Sequence, residues 1–179
     1  MTVLNELLAA CRKGEIDNVR QVLTSHDIDK NQYPMLLEEA VLGGQLEIVK
    51  FLTSSKDLAY HADIHANKDI ALVNACRANR LNIVQYLLTS PELSSHCNIH
   101  TLSDAPIREA CISGYPELVQ YLLDNYDLNI NNNLYKIVLK LTEDEKKQKH
   151  INFKNPKALD DYQRVLKMLD HYREGKLVI

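Results

Sequence analysis

His61 and His65 recur 35 residues later as His96 and His100, with Cys97 beside the second pair. Imidazole nitrogen and thiolate sulfur are zinc ligands, and three or four of them converging on one ion would make a tetrahedral site. That chemistry requires repeated segments to bring the four histidines onto one edge. The other three cysteines read differently. Cys11, Cys76 and Cys111 share one register, in which the remaining copy has Val41. Interchange with valine is what a small buried apolar position shows, so these thiols are expected to pack, in a reducing compartment, rather than to react. Catalytic signatures are missing: there is no Gly-rich phosphate loop, no Gly-x-Ser-x-Gly elbow and no His-Glu-x-x-His. Glu38 and Glu39 are adjacent, and neighbouring helix residues point about 100° apart, so they read as a solvated face. The Asn-rich stretch from Asn129 to Asn133 reads as a helix-capping loop. The expectation is therefore no catalytic residue, no cofactor and no metal.

What positions these residues is a repeated unit. Within Ala71 to Leu88, the residues from Leu72 on align with residues 107 to 123 at an offset of 35, Ala75-Cys76 over Ala110-Cys111 and Val84 to Leu88 over Val119 to Leu123. The same frame fits Leu37 to Leu52 and, more loosely, Leu7 to Leu23. Each copy opens with Leu7, Leu37, Leu72 or Ile107, followed three residues on by Ala10, Ala40, Ala75 or Ala110. That spacing puts both on one helical face, where the small alanine lets a neighbouring backbone come close. Four residues later stand Gly14, Gly44, Asn79 and Gly114. Glycine and asparagine tolerate the left-handed conformation, so the position predicts a helix C-terminal turn repeated four times.

A second helix follows each turn. Val19, Val49, Val84 and Val119 lead to Val22, Leu52, Leu87 and Leu122 at steps of three, which again marks one buried face. Glu15, Glu47 and Glu117 lie in its first turn, as the helix dipole favours, and Pro116 occupies a first-turn position that accepts proline. Neither helix buries its apolar side alone, so the pairs must stack. Between pairs run Asp27-Ile28-Asp29, Asp63-Ile64-His65, Asn98-Ile99-His100 and Asp127-Leu128-Asn129.

A helix, a Gly turn, a second helix ending in Leu-Leu and an Asp-Ile-Asn-like segment together resemble the ankyrin repeats, over roughly residues 4 to 135. The family's Thr-Pro-Leu-His opening is reduced here to Ala105-Pro106-Ile107-Arg108. The turns are spaced 30, 35 and 35 residues apart, and extra residues follow the second helix at Ser54 to Tyr60 and Ser90 to Ser95. The resemblance implies an all-α ankyrin-repeat solenoid of about four helix pairs, with repeats at approximately 4–34, 35–69, 70–105 and 106–132 and a helical C-terminal cap at 133–179. His65 and His100 fall where the family usually has Asn, which implies that they tether their loops. It further implies a non-catalytic module whose partner, another protein, meets the end of the first helix and the loop tips. Those helix positions are Arg12, Lys13, Leu42, Arg77 and Ile112, with Ala78 and Ser113 beside them. The tips are Lys30 to Tyr33, Ala66 to Asp69 and Thr101 to Asp104, within which Asn67, Lys68, Leu102 and Asp104 are the candidate contacts. The phrases Leu-Thr-Ser-Pro-Glu-Leu and His-Ala-Asp-Ile-His also resemble ankyrin proteins of intracellular bacteria that act inside eukaryotic hosts. That implies an effector delivered into a host cytoplasm without an N-terminal signal.

Met1 to Gly14 has no basic stretch ahead of its apolar residues, and no apolar run approaches the roughly 20 residues of a membrane span. A cytoplasmic monomer contacting neither membrane nor nucleic acid is the expectation. The last 47 residues change character. Leu134, Ile137, Val138 and Leu141 form one face; Asn155-Pro156 then caps an amphipathic helix from Leu159 to Tyr172 that ends at Gly175. Residues 1–132 hold 10 basic and 17 acidic side chains, net −7, whereas residues 133–179 hold 11 and 7, net +4. A basic end beside an acidic repeat array reads as a cap; the alternative is an enzymatic or effector activity in 133–179 with the repeats selecting its substrate.

Overall fold

The computed structural model describes residues 3–149 and 156–177, and Asn155 of the expected Asn-Pro cap lies outside them. Among the described residues the chain is all helical: α1 (Val3–Lys13), α2 (Ile16–Ser25), a 3₁₀ turn (Lys30–Gln32), α3 (Tyr33–Gly43), α4 (Leu46–Ser54), α5 (Ala66–Arg77), α6 (Leu81–Thr89), α7 (Thr101–Ile112), α8 (Pro116–Asn125), α9 (Asn132–Lys149) and α10 (Pro156–Leu177). Contacts divide it into two compact units, Met1–Thr101 and Leu102–Ile179.

In the first unit three helix pairs stack, α1 on α3 on α5 in one row and α2 on α4 on α6 in the other. The Leu-x-x-Ala-Cys/Val frame forms the seam of the first row. Leu7, Ala10, Cys11, Leu37, Ala40, Val41, Leu72, Ala75 and Cys76 are all 1% exposed or less. Each such leucine contributes about 1.5–3 kcal/mol relative to exposure in water. The small residues matter for approach as much as for burial. A Cβ on Gly43 would lie 2.1 Å from the carbonyl oxygen of Arg12, so the end of α3 reaches α1 only because this residue is glycine. The turns follow as expected: Gly14, Gly44 and Gly114 have positive φ, and Asn79 adopts φ 55° at the equivalent place.

The extra residues after α4 and α6 form one loop built twice. Ala62 N–H donates to the Leu52 carbonyl (2.8 Å) and Cys97 N–H to that of Leu87 (3.0 Å). Ser55 Oγ accepts from Asp57 N–H and Ser90 Oγ from Glu92 N–H, both at 3.2 Å. The insertion after α4 has lengthened the connection without disturbing the stacking of α3 on α5 and α4 on α6.

In the second unit α10 packs on both α8 and α9, with Val165 and Leu169 fully buried. Tyr172 Oη accepts from Leu128 N–H (2.8 Å) and donates to the Tyr126 carbonyl (3.2 Å). Arg173 donates to Asn132 Oδ1 (2.6 Å) and lies over the Tyr135 ring. The last helix runs to Leu177, two residues beyond the Gly175 end read from the sequence.

Candidate functional site

A helix C-terminus leaves backbone carbonyls without intrahelical partners. Here the layer that follows supplies those partners. Gln45, just after the Gly44 turn, donates to the carbonyls of Arg12 (3.2 Å) and Gly43 (3.1 Å). Arg80, just after Asn79, donates to the Leu42 carbonyl (2.8 Å). In the second unit no repeat follows α8, and Tyr162 of α10 takes the same part, its hydroxyl donating to the Ile112 carbonyl (2.8 Å). The backbone at Arg12, Leu42 and Ile112 is thereby fixed.

Their side chains divide. Arg12 is exposed and pairs with Glu39 of the next repeat, Nη2 to Oε1 at 3.0 Å, so Glu39 is a partner across the stack rather than part of a purely solvated face. Lys13 is exposed, 3.9 Å from Glu15. Arg77 is exposed and its Nη1 donates to the buried Asn74 at 3.2 Å. Leu42 and Ile112 are half-buried, and their carbonyls accept from Arg80 and Tyr162.

The loop tips hold a feature that residue types did not announce. Asn67, Lys68 and Asp69 have φ of 51°, 59° and 55°, a full left-handed turn ahead of the right-handed part of α5. Leu102, Ser103 and Asp104 repeat it in the second unit at 48°, 57° and 58°. Left-handed backbone costs L-residues about 1–2 kcal/mol each and persists where its surroundings hold it. Several groups do so in the first unit. Asp69 is 7% exposed; its Oδ1 meets His65 Nδ1 at 2.6 Å, and its Oδ2 accepts from Asn98 N–H at 3.4 Å. Thr101 Oγ1 donates to the Lys68 carbonyl (2.7 Å). In the second unit Arg108 donates to the Ser103 carbonyl (3.2 Å). The side chains of Asn67, Lys68 and Leu102 are exposed and that of Asp104 is half-buried. At the first tip Lys30–Gln32 form the 3₁₀ turn, but Tyr33 is buried and belongs to the core.

The histidines are placed by loop hydrogen bonds. His61 Nε2 lies 2.7 Å from the Ser55 carbonyl oxygen and His96 Nε2 lies 2.9 Å from that of Ser90. Among the described residues no three His, Cys, Asp or Glu side chains converge as a metal would require. Cys97 is buried against the Ile64 carbonyl, its Sγ 3.6 Å away.

The family model for ankyrin repeats, in three copies, matches residues 37–133, more than half of the chain. The chain belongs to the ankyrin-repeat family. Ankyrin repeats are in general protein–protein interaction modules. The α1–α2 pair lies outside the matched range, yet it has the ankyrin design, with Ala10 at the seam and a left-handed Gly14. Comparison with curated proteins and with solved structures gives no match. No ankyrin helix among the described residues is long and apolar enough to cross a membrane.

Proposed function

We propose that this chain is a binding module whose ankyrin repeats meet a partner protein through first-helix ends and loop tips. The observation that carries the reading is the combination of fixed backbone and exposed side-chain ends. Gln45 and Arg80 tie down the helix ends, and Asp69 and Thr101 tie down the left-handed turn. Lys13, Asn67, Lys68 and Arg77 then present exposed polar groups from positions that lose little entropy on binding. Arginine and aromatic or aliphatic anchors dominate binding energy, so Arg12 and Arg77, with Leu102 at the tip of the second unit, are the strongest candidates.

The test is capture from eukaryotic lysate with wild type and with Arg77→Glu/Lys68→Glu/Lys13→Glu, followed by titration of the purified captured protein. Circular dichroism and melting establish that the variant folds. A partner bound by wild type and weakened at least about tenfold by the charge reversals supports the assigned surface. Equal affinity for both rejects it.

The Leu-Thr-Ser-Pro-Glu-Leu and His-Ala-Asp-Ile-His phrasing supports a further reading, an effector delivered into a host cytoplasm. An enzymatic reporter fused to the chain and assayed in infected host cells tests it; reporter signal confined to the bacteria rejects it.

A further inference from the structure

Three side chains of the first unit stand in a relation the binding reading does not use. Ser95 Oγ is 2.8 Å from His65 Nε2, and His65 Nδ1 is 2.6 Å from Asp69 Oδ1. Asp69 is almost fully buried, whereas Ser95 and His65 reach solvent, His65 with 44% of its side chain exposed. The hydrogen-bond chemistry gives this chain a direction. An ionised carboxylate only accepts, so the proton shared with Asp69 belongs to His65 Nδ1. A neutral imidazole carries one proton, which leaves a lone pair on Nε2 directed at Ser95 Oγ, and the serine hydroxyl donates to it. That is the arrangement of nucleophile, base and orienting acid used in acyl transfer.

The surroundings suit the chemistry. Both Ser94 and Ser95 line a cavity of about 210 Å³, with Thr53, His61 and Leu93 among its walls. The volume fits a short acyl group. The orienting contact is rigid: Asp69 is set by the left-handed turn, its own N–H donating to the His65 carbonyl at 3.3 Å. His100 and Asp104 repeat the His65–Asp69 spacing, but the shorter connection from Asn125 to Asp127 has no counterpart of the inserted Ser90 to Ser95. The His–Asp spacing therefore belongs to the repeat, and the serine is particular to this one.

We infer that Ser95 is an activated nucleophile that takes an acyl group from a small carboxylic ester, with His65 as base and Asp69 as positioning residue. Ser95 Oγ forms a bond to the carbonyl carbon while its proton passes to His65 Nε2. The alcohol leaves as the ester C–O bond breaks and recovers that proton from Nε2. Water attacking the acyl-serine by the same route would release the acid and restore Ser95. This inference is separate from the binding surface, which uses neither Ser95 nor His65 and draws on Asp69 only to hold the left-handed turn.

The test uses the full chain with 4-nitrophenyl acetate and, separately, an alkyl fluorophosphonate, locating adducts by peptide mass spectrometry. Ser94 is the internal reference, since it borders the same cavity without a histidine. Modification of Ser95 on the order of 100-fold faster than Ser94 is expected, as general-base assistance contributes at least that much. The rate should rise with pH as a single group loses its proton and should fall to the Ser94 level in His65→Gln. Asp69→Asn reports the positioning role through a weakened pH dependence. Because that variant removes a buried carboxylate, the wild-type comparison of Ser95 with Ser94 remains decisive if it unfolds. Equal labelling of the two serines, or labelling no faster than in urea-unfolded protein, overturns the inference.

Discussion

Cys11 packs in the first-row seam, and burial, with a smaller effect from the Glu39 carboxylate, pushes its thiol up to about 12. Cys111 is raised further by burial alone, and Cys97 by burial with the charge of Asp69 acting in the same sense. A thiol held neutral in the fold leaves almost no thiolate for alkylation. Iodoacetamide at about pH 8 should therefore modify the native protein at least tenfold more slowly than the urea-unfolded chain. The linkage follows from the same shifts. The unfolded chain loses these protons near the ordinary value of 9.0, whereas folded Cys11 keeps its proton until about 12. Stability is thus complete below the unfolded value and falls as pH climbs through that window, so urea midpoints should drop between about pH 8 and about pH 10.5. A midpoint that rises across that range contradicts it. Lys68 gives a second residue-scale prediction. Its φ of 59° strains any side chain, and its own side chain is exposed. Lys68→Gly relieves that strain at some cost in unfolded-state entropy and should stabilise by about 0.5–1 kcal/mol, whereas Lys68→Val should destabilise by about 1 kcal/mol or more. Chemical denaturation of the two variants checks the opposite signs.

At the scale of the helix pair, second-row contacts are specific as well as apolar. Tyr86 on α6 is 6% exposed, and its hydroxyl lies 3.0 Å from Thr53 Oγ1 and 3.2 Å from Ser54 Oγ on α4. Tyr86→Phe should cost about 1 kcal/mol. Thr53 retains its bond to the Val49 carbonyl (2.8 Å), so the loss is partial. Thr53→Val combined with Tyr86→Phe should cost less than the two single changes together, because they share one contact. Additive costs would show that the hydroxyl pair contributes nothing. This scale also shows what the residues announce and what they conceal. The pairs and their turns were legible because Leu-x-x-Ala and the Gly/Asn position recur at near-constant offset, and local backbone demand alone selects those types. The left-handed turns were not. Asn67 and Asp69 tolerate that conformation, but Lys68, Leu102 and Ser103 do not favour it, and what holds it in the first unit comes from residues up to 33 positions away. The Arg12–Glu39 pair, 27 residues apart, and the half-burial of Leu42 were hidden for the same reason. Ser95, one of two adjacent serines in a loop, carried no signal until His65 and Asp69 stood beside it.

At the scale of the molecule, the question is what the basic last segment does, since net charge alone is equally consistent with a cap and with an independent activity. The contacts within the second unit favour the cap. Tyr162 places its hydroxyl on the Ile112 carbonyl just as Gln45 and Arg80 serve Arg12 and Leu42, and burial raises its pKa. Its ring lies 3.1 Å from where a Cβ on Gly114 would stand. Arg164 pairs with Glu117 at 3.0 Å. Thus α10 reproduces the contacts of a following repeat with different side chains, and the proposal is that residues 133–179 close the array. A chain ending at Asn132 would expose Leu118, Leu122 and Leu128, all 1% exposed or less in the complete fold. Amide exchange in residues 102–132 should then approach the unfolded rate, because a terminal repeat without a cover cannot bury its apolar face. Tyr162→Phe should move in the same direction by only about 1 kcal/mol. If the shortened chain instead kept its protection in 102–132, the last segment would not be needed for folding, and its charge would have to be explained by a contact of its own.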